Sequence, residues 1–200
     1  MAGDGELAEL ELVYGPLTES VRRLIDATIR TRVDPASVAA AKEKIDCATD
    51  ELSAALVPGS FGVRQAADGR PMPWGNVVIG LRNPVAPPLS INQEADGLVW
   101  SEFTLGAAYE GPPGHVHGGV CAMVLDHVLG ATAHQPGKPA YTGTLRIRFI
   151  RGTPLGPLRA EARVDRVEGV KTFAVGHLSN AQGVTVVAEG VFFRLDENQP

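Results

Sequence analysis

The sequence predicts an α+β fold in which a six-stranded antiparallel sheet wraps around one long central helix, preceded by an N-terminal two-helix arm. Three observations carry this. From about residue 89 onward the apolar residues recur with period two, in LSINQEA, LVWSEFTLGAAY, TLRIRFIR, PLRAEARVDRV, KTFAVGHLSN and VTVVAEGVFFRL. One segment, GGVCAMVLDHVLGATA at 118–133, interrupts this pattern and is apolar on nearly every side, as expected of a helix enclosed by its own sheet. Before residue 58 the spacing is instead helical.

Taken in order, Thr18 is placed to N-cap a first helix near 18–31, with Val21, Leu24, Ile25 and Ile29 on one stripe. Asp34 before Pro35 reads as the cap of a second helix, because proline suits the first helical position and Asp supplies a side-chain acceptor. Val38, Ala41, Ile45, Ala48, Leu52, Ala55 and Leu56 mark its apolar stripe, and Pro58-Gly59 stops it. Residues 58–87 hold repeated prolines and glycines and read as a connector between an arm, 1–57, and a domain, 88–196. In the fourth strand segment Leu158, Ala160, Ala162 and Val164 alternate with Arg159, Glu161, Arg163 and Asp165, the pattern of an antiparallel strand with one wet face. Short spacers at 152–157, 166–169 and 180–183 suit hairpins, not crossover helices.

Composition narrows the function classes. Of 200 residues, 44% are hydrophobic and 20% charged, enough to build a core, and the formal net charge of -5 with no Lys/Arg run disfavours nucleic acid or an anionic membrane as partner. The apolar stretch 118–133 is interrupted by Asp126 and His127 and falls short of the roughly 20 residues a spanning helix needs. The acidic MAGDGELAELELVYG start lacks the features of a secretory signal, so a cytoplasmic location is expected. Cys47 and Cys121 form neither a disulfide framework nor a zinc knuckle and read as small hydrophobes.

No GxSxG elbow, no GxGxxG after a strand and no complete P-loop around Gly137-Lys138 occurs, since Pro139 stands where Ser or Thr is required. The informative stretch is GHVHGG at 114–119, which runs into the apolar helix carrying Asp126. A carboxylate there must be paired, neutralised or turned to a polar pocket, and a structural partner would serve as well as a catalytic one. Gly118 and Gly119 lie where the first helical amides have no intrahelical partner, so they could donate to a carbonyl oxygen gaining negative charge; a plain tight turn is the other reading. Gly118 and Asp126 are eight residues apart, which separates them by roughly 12 Å along one helix. If both act on one carbonyl, two helices must lie antiparallel across a two-fold axis, which makes a homodimer a consequence.

HGGVCAMVLD, with Asp126 nine positions after His117, resembles the helix motif of the PaaI-like acyl-CoA thioesterases of the hotdog superfamily, and TGTLRIRFIR is similar to their next strand. The likeness covers roughly residues 88–194. It implies a hotdog fold and hydrolysis of an acyl-CoA thioester to free acid and coenzyme A, with no cofactor. It further implies Asp126 as general base or nucleophile, the Gly118 amide polarising the carbonyl with Gly119 beside the substrate, His117 orienting it, and Thr142 holding the water or the aspartate. Asp126 and Thr142 would come from one subunit and His117 and Gly118 from its partner, in a homodimer or a dimer of dimers. Some relatives carry Asn six residues before the His; here that position is Gly111.

Strand parity groups Thr142 with Arg146 and Arg148, opposite Leu145, Ile147 and Phe149, which should face the core. Arg148 matches a substrate-contacting strand position of related enzymes, and Arg151, Arg159 and Lys171 are further candidates for the phosphates of coenzyme A; a solvated strand charge is the competing reading for each. His115 and His117 with Asp126, His127 or His134 are the residues a metal site would need, but Cys121 and Ala122 stand where such a site expects Glu, so no metal is expected. His127, His134 and His177 read as structural. Two rivals are a non-catalytic acyl-CoA or acyl-carrier binding module, which an intact Asp126 disfavours, and a hotdog hydratase, whose Asp/His arrangement His127 does not reproduce. The arm fits a lid, a tetramer contact or a helical cover.

Overall fold

The computed structural model describes residues 2–65, 69, 71–134 and 140–194, so Gly137-Lys138 and the last residues of the expected 88–196 domain lie outside the described residues. The chain divides into two compact units, 1–86 and 87–200.

In the first unit, helix α1 spans Ala2–Arg30 and helix α2 spans Pro35–Ser53. Thr18 does not begin α1. The helix starts much earlier, continues through Pro16, and buries Thr18 in its interior. The reason lies in tertiary packing: Leu7, Leu10 and Tyr14 keep helical spacing and cluster with Phe61, Met72, Trp74 and Leu81, which offsets the hydrogen bond that proline cannot make. The Arg82 guanidinium lies 3.6 Å over the Tyr14 ring. The segment read as a connector therefore supplies four of the seven side chains of this small core. It also carries a short antiparallel ribbon of β1, Arg64–Gln65, and β2, Pro71–Met72. The start of α2 is as expected, with Asp34 Oδ1 accepting from the Ala36 amide at 2.9 Å and the Ser37 amide at 3.0 Å.

The second unit holds β3, Asn92–Gln93; β4, Val99–Leu105; α3, Gly118–Ala133; β5, Ala140–Phe149; β6, Gly156–Glu168; β7, Lys171–Asn180; and β8, Gly183–Arg194. All six strands form one antiparallel sheet in the order β3-β4-β6-β7-β8-β5, so α3 crosses from one side of the sheet to the other edge. The spacer at 152–157, expected to be a hairpin, instead links β5 to β6, which are not neighbours because β5 pairs with β8 and β6 with β4 and β7. Cys121, Val124, Leu125, Val128, Leu129 and Ala133 of α3 are buried against Phe103, Leu105, Leu158, Ala160, Ala162, Leu178, Val186 and Phe192. Period-two alternation supplies the helix-facing residues and period 3.6 supplies the helix face that meets them. Val164, read with the inward set, is instead half-exposed. A six-stranded antiparallel sheet curled on one long helix is the hotdog fold.

The helix is less enclosed than its composition suggests. Ala122, Met123 and Asp126 are only partly buried and Gly119 is exposed, which leaves one strip of α3 free of the sheet. A single sheet covers one side of a helix, so the apolar residues on the open strip are not explained by this unit alone.

Candidate active site

The loop between β4 and α3 is pinned by its own backbone. The His117 amide donates to the Tyr109 carbonyl at 2.9 Å, the Gly111 amide to the His115 carbonyl at 2.9 Å, and the Val116 amide to the Thr153 carbonyl at 2.8 Å. This packing explains Gly111. A Cβ there would lie 2.7 Å from the His117 Cα, so an asparagine cannot occupy this position without moving the loop. His117 ends the loop as the N-cap of α3, with φ -60° and ψ 135°, and its Nδ1 accepts from the Gly119 amide at 3.0 Å. A ring accepting through Nδ1 carries its proton on Nε2, which is left as an outward donor. The Gly119 amide is thereby used, whereas the Gly118 amide has no acceptor among the described residues. Of the two glycines, only Gly118 retains a free donor at the positive end of the helix.

Asp126 lies two turns along α3, partly buried on the open strip, and its Oδ1 accepts a hydrogen bond from Thr142 Oγ1 at 2.9 Å. Thr142 reaches it because of a β-bulge. Thr142 pairs with Phe192 and Thr144 with Val191, so Gly143 is an extra residue and the strand's facing flips across it. The parity expectation is corrected here: Thr142 shares the helix-facing side with Leu145 and Ile147, and does not share the face of Arg146 and Arg148. Thr142 shares its side with its buried partner Phe192, whereas Arg146 pairs with Glu189 on the outer face. The signal for this was a glycine between two threonines within a strand. Phe149, expected in the core, is 53% exposed, with its ring over the start of α3; a Cβ on Gly118 would meet it at 3.2 Å.

The remaining predicted residues are not brought to Asp126. Arg148 stands on the outer face of β5, in a groove of about 590 Å³ shared with Arg146, Arg163 and His177. Arg151 donates to Asn180 Oδ1 at 2.6 Å and to the Gly183 carbonyl at 2.8 Å, clamping the β7–β8 turn. Arg159 is held between Glu102 and Glu161, at 2.7 Å and 2.6 Å, and stacks on Trp100. Lys171 is exposed at the start of β7. Among the described residues no three His, Cys, Asp or Glu side chains converge as a metal shell would require. Cys121 is buried, which pushes its thiol up and makes it a poor nucleophile.

Burial holds His127 below the ordinary imidazole range, against the opposing pull of the Asp126 charge. A lowered folded-state value means that the unfolded chain binds the proton more readily. The contribution to stability is therefore complete above the usual histidine value near 6.5 and is lost as pH falls below it. Urea midpoints at pH 7.5 and 5.5 are expected to fall on acidification in the parent protein and to fall less in His127→Gln; equal pH dependence in the two would contradict this.

The family model of the thioesterase superfamily matches residues 113–187, which include His117, Asp126 and Thr142. Human acyl-coenzyme A thioesterase THEM5 is 33% identical over 103 residues, covering 49% of this chain and 42% of that protein. The bovine acyl-coenzyme A thioesterase THEM4 is 32% identical over 97 residues, covering 47% and 40% respectively. The chain thus spans less than half the length of these curated relatives. The E. coli PaaI protein of the phenylacetic acid degradation operon superposes with a TM-score of 0.50 at 20% identity, over 54% of this chain and 80% of that one, a likeness of fold. A crystal structure of a thioesterase superfamily protein is 34% identical with a TM-score of 0.79, covering 90% of this chain and 94% of that one. The chain belongs to the thioesterase superfamily.

Proposed function

We propose that this protein hydrolyses an acyl-CoA thioester, as its THEM4 and THEM5 relatives are named for doing, and that each active site is shared by two copies of the chain. The observation that carries the reading is a carboxylate, Asp126, held by the Thr142 hydroxyl on the open strip of a helix whose first amide, Gly118, lacks an acceptor among the described residues. Within one chain the two are too far apart to act on one carbon. β5 supports the pairing: it is ten residues long, pairs among the described residues with β8 alone, and exposes Tyr141 and Phe149. A long unpaired edge of that kind is ordinarily covered. Antiparallel pairing of two β5 edges continues the sheet and sets two α3 strips face to face; with the axis near Ala122, Asp126 of each lies beside Gly118 of the other. Gly119 and Ala122 let the helices approach closely.

In the reaction the Gly118 amide and His117 Nε2 donate to the thioester oxygen. Asp126 takes a proton from water as that water attacks the carbonyl carbon, or attacks the carbon itself, in which case the mixed anhydride left when the C–S bond breaks is hydrolysed by water to the free acid and the Asp126 carboxylate. The tetrahedral intermediate collapses with breakage of the C–S bond, and coenzyme A leaves as thiolate and is then protonated. A thiolate is a good leaving group, so a carboxylate and an oxyanion donor suffice without a triad or cofactor. Arg148 and Lys171, which make no ion pair among the described residues, are the cations left for the phosphates of coenzyme A. A thiol-release assay over short, long and aromatic acyl-CoA substrates tests the reading. Turnover that depends on Asp126 supports it, and binding without thiol release would identify a binding module instead.

Thr142→Val removes the hydroxyl at nearly constant volume and is expected to lower kcat about 10- to 100-fold, because a hydrogen bond to a charged group is lost. Thr142→Ser should retain most of the rate. Equal losses in both variants would contradict a role for the hydroxyl.

A further inference from the structure

Helix α2 carries an apolar face that none of the described residues covers. None of its 19 residues is buried, and Val38, Ile45 and Leu52 are 48%, 38% and 55% exposed. These three recur every seventh residue, and Ala41 and Ala48 follow the first two by three positions. That is a heptad seam with a large aliphatic residue at one core position and alanine at the other, and the alanines let a facing backbone come close. The charges beside the seam choose the occupant. Lys44 and Glu51 occupy the same flanking position one heptad apart, and neither makes an ion pair among the described residues. A parallel copy would set Lys44 against the partner subunit's Thr49 and Glu51 against the partner subunit's Leu56, with no complementary pair. An antiparallel copy sets Lys44 against the partner subunit's Glu51 and Glu51 against the partner subunit's Lys44, while Ile45 meets the partner subunit's Ala48.

We propose that α2 is a self-association helix that docks antiparallel on α2 of a second copy of this chain, aligned by reciprocal Lys44–Glu51 pairs. The seam is just over two heptads long, so by itself it holds two copies weakly, and any further contact between the same copies adds to it. It is independent of the catalytic reading. Sedimentation equilibrium of the full-length chain at low ionic strength tests it, because exposed charge pairs are screened by salt. Lys44→Glu and Glu51→Lys should each weaken self-association about tenfold, since two attractive contacts per pair become repulsive. An equimolar mixture of the two variants, and the double exchange in one chain, should both return to the parent value. Ile45→Asp should weaken it about a hundredfold or more while the helix, exposed at that position, stays folded. Unchanged association in all of these would overturn the proposal. So would weakening by Ile45→Asp without recovery in the mixture, which would assign the face to a different occupant. Failure of the β5 pairing would leave the charge-exchange pattern intact, so the two outcomes are distinguishable.

Discussion

Asp126→Asn is expected to lower the kcat of thiol release roughly 10²- to 10⁴-fold with little change in KM, the range a general base contributes. The amide is isosteric with the carboxylate, and Thr142 Oγ1 can still donate to its oxygen across the 2.9 Å contact. The substitution therefore removes proton acceptance without opening a cavity or stranding a buried partner. A partly buried carboxylate in an apolar helix is also costly to keep, so the variant should melt at the parent temperature or slightly above it. Such a gain in stability with loss of rate is the behaviour of a residue retained for chemistry. More than a tenth of the parental rate in the asparagine variant would remove Asp126 from the reaction.

Gly118→Pro addresses the other half of the site. Proline is accepted at the first position of a helix, where the amide has no intrahelical acceptor, and it requires an extended residue before it. His117, at ψ 135°, already meets that requirement. The ring would approach Phe149, whose half-exposed side chain can turn aside. The substitution thus deletes one N–H from the start of α3 and little else. A single oxyanion donor contributes about 10²- to 10³-fold to kcat, and a loss of that size is expected, with Gly118→Ala, which keeps the amide, much closer to the parent. A proline variant as active as the alanine variant would show that the amide does not touch the reacting oxygen.

The second unit was largely legible in the sequence because its two periodicities differ so clearly. Alternation in 156–168 and 183–194 pointed one face of each strand at the helix, and the apolar run 118–133 had no surface solution. The separation of Gly118 from Asp126 along α3 was legible too, since helical rise alone sets it. What escaped depended on partners distant in the chain. The bulge at Gly143 reverses the facing of Thr142, and no count along the strand shows where the partner strand skips a residue. Arg151 and Arg159 looked available for phosphate until the turn carbonyls and carboxylates around them were placed. The true start of α1 depended on an aromatic cluster some fifty residues further on.

The central claim, that one site is assembled from two chains, is tested most directly by mixing subunits. Asp126→Asn chains keep the Gly118 amide, and Gly118→Pro chains keep the carboxylate. Unfolding and refolding them together at equal concentration should give mixed dimers as about half of the population, each with one intact site and one doubly defective site, so that roughly a quarter of the parental activity returns from two nearly inactive proteins. Activity no greater than the sum of the two separate variants, in a mixture shown to exchange subunits, would mean that Asp126 and Gly118 do not meet across the interface.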